Sequence, residues 1–191
     1  MRPTALALAA LALAGCGEGG LRGGGTVAAA PVAPVRAECP EVGGIAEAAD
    51  LRRYRSDTGQ DLTDLVLEAR LTGVSGRCEY MDRRRRDRVR VTLTLALEVT
   101  RGPAAQGRTL TVPYFVAVAD SEARIPSKQV FEIPVEFPAN RTRLRVSGEE
   151  VTVDLPLGAG RQASDYTVLV GFQLNEQELA LNRRIAAARP R

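Results

Sequence analysis

Residues 89–99 most restrict how this chain can fold. Val89, Val91, Leu93, Leu95, Leu97 and Val99 alternate with Arg90, Thr92, Thr94, Ala96 and Glu98. A helix would scatter six apolar side chains around its circumference, whereas a strand gathers them on one face. The same period of two recurs along the chain. Leu65, Leu67, Ala69 and Leu71 form one set, Leu110, Val112, Tyr114, Val116 and Val118 another, and Phe131, Ile133, Val135 and Phe137 a third. Further strands are expected at residues 142–146, 151–157 and 166–173, with a short one around Cys78-Glu79-Tyr80 beyond the break Gly73-Val74-Ser75-Gly76. Turns are expected at Ser56-Asp57-Thr58-Gly59, Gly102-Pro103, Gln106-Gly107, residues 120–126 and 138–141, Gly148-Glu149-Glu150 and residues 158–165. Pro134 falls on the outward set of its strand. That marks a sheet edge, because proline donates no ladder hydrogen bond.

The fold class that follows is mainly β. About seven or eight short strands, each with one apolar and one polar face, suit an antiparallel immunoglobulin-like β-sandwich. Tryptophan is absent, so the likeness is one of architecture. A lipocalin-like β-barrel is the alternative. Two stretches read as helical. Ile45, Ala48, Ala49 and Leu51 suggest a short helix within residues 45–54. At the C-terminus Asn175 is placed to cap a helix, with Glu178 at the third position and Leu174 and Leu179 as a staple. That helix is expected over about residues 175–188, with Leu181, Ile185 and Ala188 at helical spacing, Arg183 and Arg184 toward its negative end and Pro190 beyond it. It is expected to close one open end of the sandwich, with an outward Phe115 packed beneath it or presented to a partner.

Residues 1–15 carry a different signal. A charged start (Met1-Arg2), an apolar stretch over residues 5–14 and a small-residue exit form the tripartite secretory pattern, too short to span a bilayer. Ala12-Leu13-Ala14 suits ordinary leader cleavage, while Leu13-Ala14-Gly15-Cys16 resembles the lipobox of bacterial lipoprotein precursors, which implies acylation of Cys16. The cysteines are Cys16, Cys39 and Cys78, an awkward odd number in an exported chain. Acylating Cys16 leaves Cys39 and Cys78 as an even pair for an oxidising compartment. Their disulfide would close a loop of about forty residues and stabilise the domain by roughly 3–4 kcal/mol. The organisation is therefore a signal peptide (1–15), a lipidated cysteine with a Gly/Ala/Pro-rich tether of roughly 25 Å r.m.s. span (16–38), and one domain (39–188).

Chemistry-bearing motifs are few. Histidine is absent and the 191 residues hold one lysine, Lys128. No Ser-His-Asp or Cys-His arrangement is therefore open. No metal set is expected either, since there is no CxxC and no histidine, and no cofactor. Gly73-Val74-Ser75-Gly76 and Ser127-Lys128 lack the spacing of the nucleophile elbow and of S-x-x-K. Aromatics are 4% of the chain, which argues against sugar-cleaving platforms. The 26 basic residues face 23 acidic ones, and losing Arg2 with the leader takes the net charge from +3 to +2. No nucleic-acid partner is expected. The charge run Asp82-Arg83-Arg84-Arg85-Arg86-Asp87-Arg88 reads as a solvated hairpin loop. As a site, Arg83, Arg84, Arg85 and Arg86 would take phosphates of lipid headgroups or an acidic partner. Asn140-Arg141-Thr142 matches the glycosylation sequon but reads as a turn.

The Cys39-Pro40 opening, Asp61-Leu62-Thr63-Asp64-Leu65 and Gly171-Phe172-Gln173-Leu174-Asn175 with Asn182-Arg183-Arg184 resemble a group of uncharacterised lipoproteins of alphaproteobacterial type. The resemblance spans roughly residues 39–184 and transfers no catalytic or binding residue. The expectation is a non-enzymatic lipoprotein of the cell envelope, facing the periplasm and held by its lipid at the outer membrane, with the inner membrane as the alternative. It would bind or scaffold an envelope protein through a sheet edge or the arginine loop. A small-ligand carrier, which predicts a barrel with an apolar cavity of several hundred Å³, and a hydrolase using paired carboxylates are the competing classes.

Overall fold

Where the alternation is strongest, the chain forms its longest strands. In the computed structural model, which describes residues 39–55, 60–82, 84–158 and 160–188, there are nine strands. They are β1 (Glu41–Gly44), β2 (Asp50–Tyr54), β3 (Leu65–Tyr80), β4 (Arg88–Arg101), β5 (Thr109–Asp120), β6 (Ser127–Glu136), β7 (Arg143–Ser147), β8 (Val151–Pro156) and β9 (Tyr166–Phe172). One helix, α1 (Glu176–Ala188), closes the described chain. One sheet runs β1-β9-β5-β6, and the other runs β2-β3-β4 with both β7 and β8 on the far side of β4. All pairings are antiparallel except β1 with β9. The two sheets pack face to face and no barrel closes, so the sandwich holds and the barrel does not. The lipobox, the tether, Ser56-Asp57-Thr58-Gly59 and Pro190 lie outside the described residues.

The core follows from the pleat. All six alternating residues of β4 are buried, facing Val112, Tyr114, Val116 and Val118 of β5 and Val168, Val170 and Phe172 of β9. Each fully buried Leu, Val or Phe contributes roughly 1.5–3 kcal/mol, so the facing apolar sets determine how the sheets stack. β6 lies at a sheet edge as Pro134 requires.

Three segments differ from expectation. Gly73-Val74-Ser75-Gly76 does not break the strand. β3 runs through, and a register shift between Leu71 and Gly73 absorbs one residue, because the long ladder to β4 outweighs the local glycine preference. Gly148-Glu149-Glu150 is no hairpin turn. β7 and β8 both run antiparallel to β4, from Arg143 opposite Thr100 to Pro156 opposite Arg88. They form one edge strand interrupted by a three-residue bulge, with Gly148 N donating to Leu95 O at 2.9 Å. The short helix of residues 45–54 reduces to a single 3-10 turn, Ala46–Ala48, followed by β2. Its apolar spacing arose from a turn joined to a strand that pairs with β3.

That 3-10 turn carries the chain from one sheet to the other, and α1 packs against it. Asn175 and Glu178 form a reciprocal capping box: Glu178 N donates to Asn175 Oδ1 at 2.8 Å, and Asn175 N to Glu178 Oε2 at 2.9 Å. The other Glu178 oxygen takes Arg53 Nε at 3.0 Å. One turn on, the buried Asn182 donates through Nδ2 to Glu47 O at 2.9 Å and Asp50 O at 2.6 Å. Phe115, expected to point outward, does so and is 9% exposed, packed with Ala48, Ile45, Leu169 and Leu174. The helix therefore lies along the β1–β2 crossover. Asn182→Ala is expected to cost about 1–3 kcal/mol, because two partly buried hydrogen bonds to backbone carbonyls are lost. Urea unfolding checks this, with an unchanged m-value.

Candidate functional site

Two regions collect polar and charged groups, one at an end of the sandwich and one along its side. Cys39 and Cys78 are joined, with Cα atoms 5.9 Å apart. Cys78 lies two residues before the end of β3, so the disulfide brings the start of the domain beside the β3–β4 hairpin.

Asp82 organises that hairpin. Its Oδ1 accepts the N–H groups of Arg84 at 2.7 Å and Arg85 at 3.2 Å, and its carbonyl accepts Arg86 N at 2.8 Å. Arg86 sits at φ +49°, and its guanidinium lies 4.4 Å from the Tyr80 ring centroid. Arg85 Nε is 4.0 Å from Asp82 Oδ2. Asp87 O accepts Leu157 N at 2.8 Å, which ties the loop to the end of β8. The structure thus brings Arg84, Arg85 and Arg86 together with Cys39 and Cys78; Arg83 and Cys16 lie outside the described residues.

The second region was not foreseen. On the side opposite α1, edge strand β6 faces the edge formed by β7 and β8 across a groove. One part, about 440 Å³, is lined by Tyr114, Gln129, Phe131, Ile133 and the bulge at Gly148–Glu150. The other, about 570 Å³, is lined by Val118, Gln129, Val153, Leu155, Arg161 and Tyr166. Gln129 and Thr152 border both parts. Tyr114 is 2% exposed and stacks on Phe131 at 5.3 Å. Its hydroxyl lies near the bulge, 3.9 Å from where a Cβ on Gly148 would stand, and has no hydrogen-bond partner among the described residues. Burial, and then the Glu149 charge, push the phenol pKa up, so the hydroxyl stays a donor. At the other end, Tyr166 donates to Pro156 O at 2.7 Å and accepts from Arg161 Nη1 at 3.2 Å, fastening the sheets together.

The acidic rim divides in two. Arg77 clamps Glu150 through two bonds of 2.8 and 3.3 Å, and Arg90 clamps Asp154 through bonds of 2.7 and 2.9 Å. These hydrogen bonds hold both carboxyls below their usual range. Glu132 and Glu149 have no side-chain partner among the described residues. The signal that could have revealed the groove was Pro134, which marks one edge, together with the interruption at Gly148 on the other.

Among the described residues, no group of three or more acidic, cysteine or histidine side chains could hold a metal ion, and no helix is long and apolar enough to cross a membrane. Comparison with protein-family models, with curated proteins and with solved structures finds no match for this chain.

Proposed function

We propose that this chain is a membrane-anchored, non-enzymatic binding module of the cell envelope, held through an acylated Cys16, whose groove takes an extended segment of an envelope protein. The observation that carries this reading is the pair of sheet edges facing each other across a groove of mixed polar and apolar lining, with the Tyr114 hydroxyl, which has no hydrogen-bond partner among the described residues, lining it. An edge strand offers a row of backbone donors and acceptors, and strand addition satisfies them while alternate side chains of the guest enter the pockets. Pro134 removes one donor from β6, which favours pairing over its first half. Gln129, exposed on that half, borders both parts of the groove and offers a polar contact. Glu132 and Glu149 on the rim favour a guest with basic residues among its apolar ones. The clamped state of Glu150 and Asp154 supports binding over catalysis, since a general acid needs a carboxyl pKa raised toward neutrality.

A photo-crosslinking residue placed at Gln129, at Thr152 and at the exposed Leu62 tests this in cells. The expected result is the same adduct from Gln129 and Thr152 and none from Leu62. Adducts independent of position, or none from the groove, would overturn it, and a small molecule retained in the groove of the purified protein would replace it with a carrier.

A further inference from the structure

The disulfide end of the sandwich gathers features of one kind. The β3–β4 hairpin carries Arg84, Arg85 and Arg86, with Arg88 at the foot of β4, all exposed. The same hairpin holds Met81, 45% exposed. The β5–β6 hairpin reaches the same end: Asp120 pairs with Tyr166, whose hydroxyl bonds to Pro156, and Pro156 pairs with Arg88. Its tip carries Ile125, 50% exposed. Two of the four large exposed apolar side chains among the described residues therefore lie here, beside the arginines.

We propose that this end is a membrane-contact face, with Met81 and Ile125 in the headgroup region and Arg84, Arg85, Arg86 and Arg88 on the phosphates of anionic lipid. Apolar side chains interleaved with cations suit an interface between water and lipid better than the surface of an acidic protein. Two carboxylates, Asp82 and Asp87, lie in this hairpin against Arg84, Arg85, Arg86 and Arg88. Asp82 accepts backbone N–H groups and pairs with Arg85 at 4.0 Å. Asp120 and Glu122 on the neighbouring hairpin are paired with Arg124, so arginine remains in excess at this end. Arg86 keeps a left-handed backbone that glycine would adopt at less cost, so the cation is held there against local preference.

The orientation rests on the anchored reading proposed above. The disulfide places Cys39 at this end. On that reading the anchored chain enters the domain beside the arginine hairpin, and this is the end turned toward the bilayer.

The test uses the full chain with Cys16→Ser, so that no acyl group binds the vesicles. Vesicles of phosphatidylglycerol with phosphatidylethanolamine are compared with phosphatidylcholine. Binding to the anionic vesicles alone, lost at high salt, is expected. At about 1 kcal/mol per arginine near a charged surface, R84S/R85S/R86S lowers the partition roughly 100-fold while leaving thermal stability unchanged, and Met81→Ser and Ile125→Ser each lower it several-fold. Equal partition of the parent and the triple variant, or equal binding to neutral vesicles, overturns the proposal. Release by millimolar inorganic phosphate beyond that by chloride of matched ionic strength also overturns it, assigning the loop to a free anion. Mass spectrometry of Cys16 in protein extracted from membranes tests the anchor separately: an unmodified thiol removes the anchor and leaves the vesicle result standing.

Discussion

Replacing Cys39 and Cys78 by serine is expected to cost the domain about 4 kcal/mol, the loop-closure entropy of a chain cross-linked across 39 residues. For a domain of this size that lowers Tm by roughly 8–16 °C. The loop holds β1, the crossover, β2 and most of β3, so its release is also local. β1 is four residues long and is held by one ladder to β9. Its amides should exchange with solvent before those of β4 once the bond is absent. Denatured oxidised protein carrying Cys16→Ser should yield no thiol. A positive thiol assay, or a Tm unchanged on reduction, would contradict the pairing as a source of stability.

Gly102→Ala is expected to cost a similar amount, about 3–5 kcal/mol, for a different reason. Gly102 N donates to Val66 O at 2.9 Å, and Ala104 N to Leu65 O at 3.0 Å, so the turn after β4 lies directly on the start of β3. A Cβ on residue 102 would stand 2.0 Å from Leu65 O and 2.5 Å from its carbonyl carbon. Both are backbone atoms of a paired strand and cannot rotate away. The turn must lift, which combines overpacking with the loss of two hydrogen bonds. Gly148→Ala is the control. Its Cβ would meet the end of the Ile133 side chain at 3.1 Å, which can shift, so the cost should stay below about 1 kcal/mol. Urea denaturation of both variants checks the contrast, and equal losses would refute it.

The two variants also separate what is local from what is not. The alternation through β4 was legible because a strand's inward residues are set by period alone, and all six are buried. The capping box of Asn175 and Glu178 was legible for the same reason, since its partners are three residues apart. The turn at Gly148 and the break at Gly73 were misread because glycine signals a local preference, and β4 overrides it by offering a continuous ladder on either side. The segment at residues 45–54 was misread because a 3-10 turn leading into a strand can imitate helical spacing over a few residues. β1 carries no apolar alternation, and its strand character comes from β9.

Of the candidate sites, the sequence contained the arginine run and the cysteine pair, but not their adjacency or the groove. By itself it determined which side chains go inside, that they do so on strands, and how the closing helix begins, because period and capping act within one turn or one pleat. Only the tertiary structure decided that β7 and β8 form one interrupted edge opposite β6, that Tyr114 lines the groove between them, and that Cys39, Met81, Ile125 and the arginines share one end. Those outcomes depend on which edges remain uncovered once distant apolar faces have packed, and no short stretch of the chain encodes that balance.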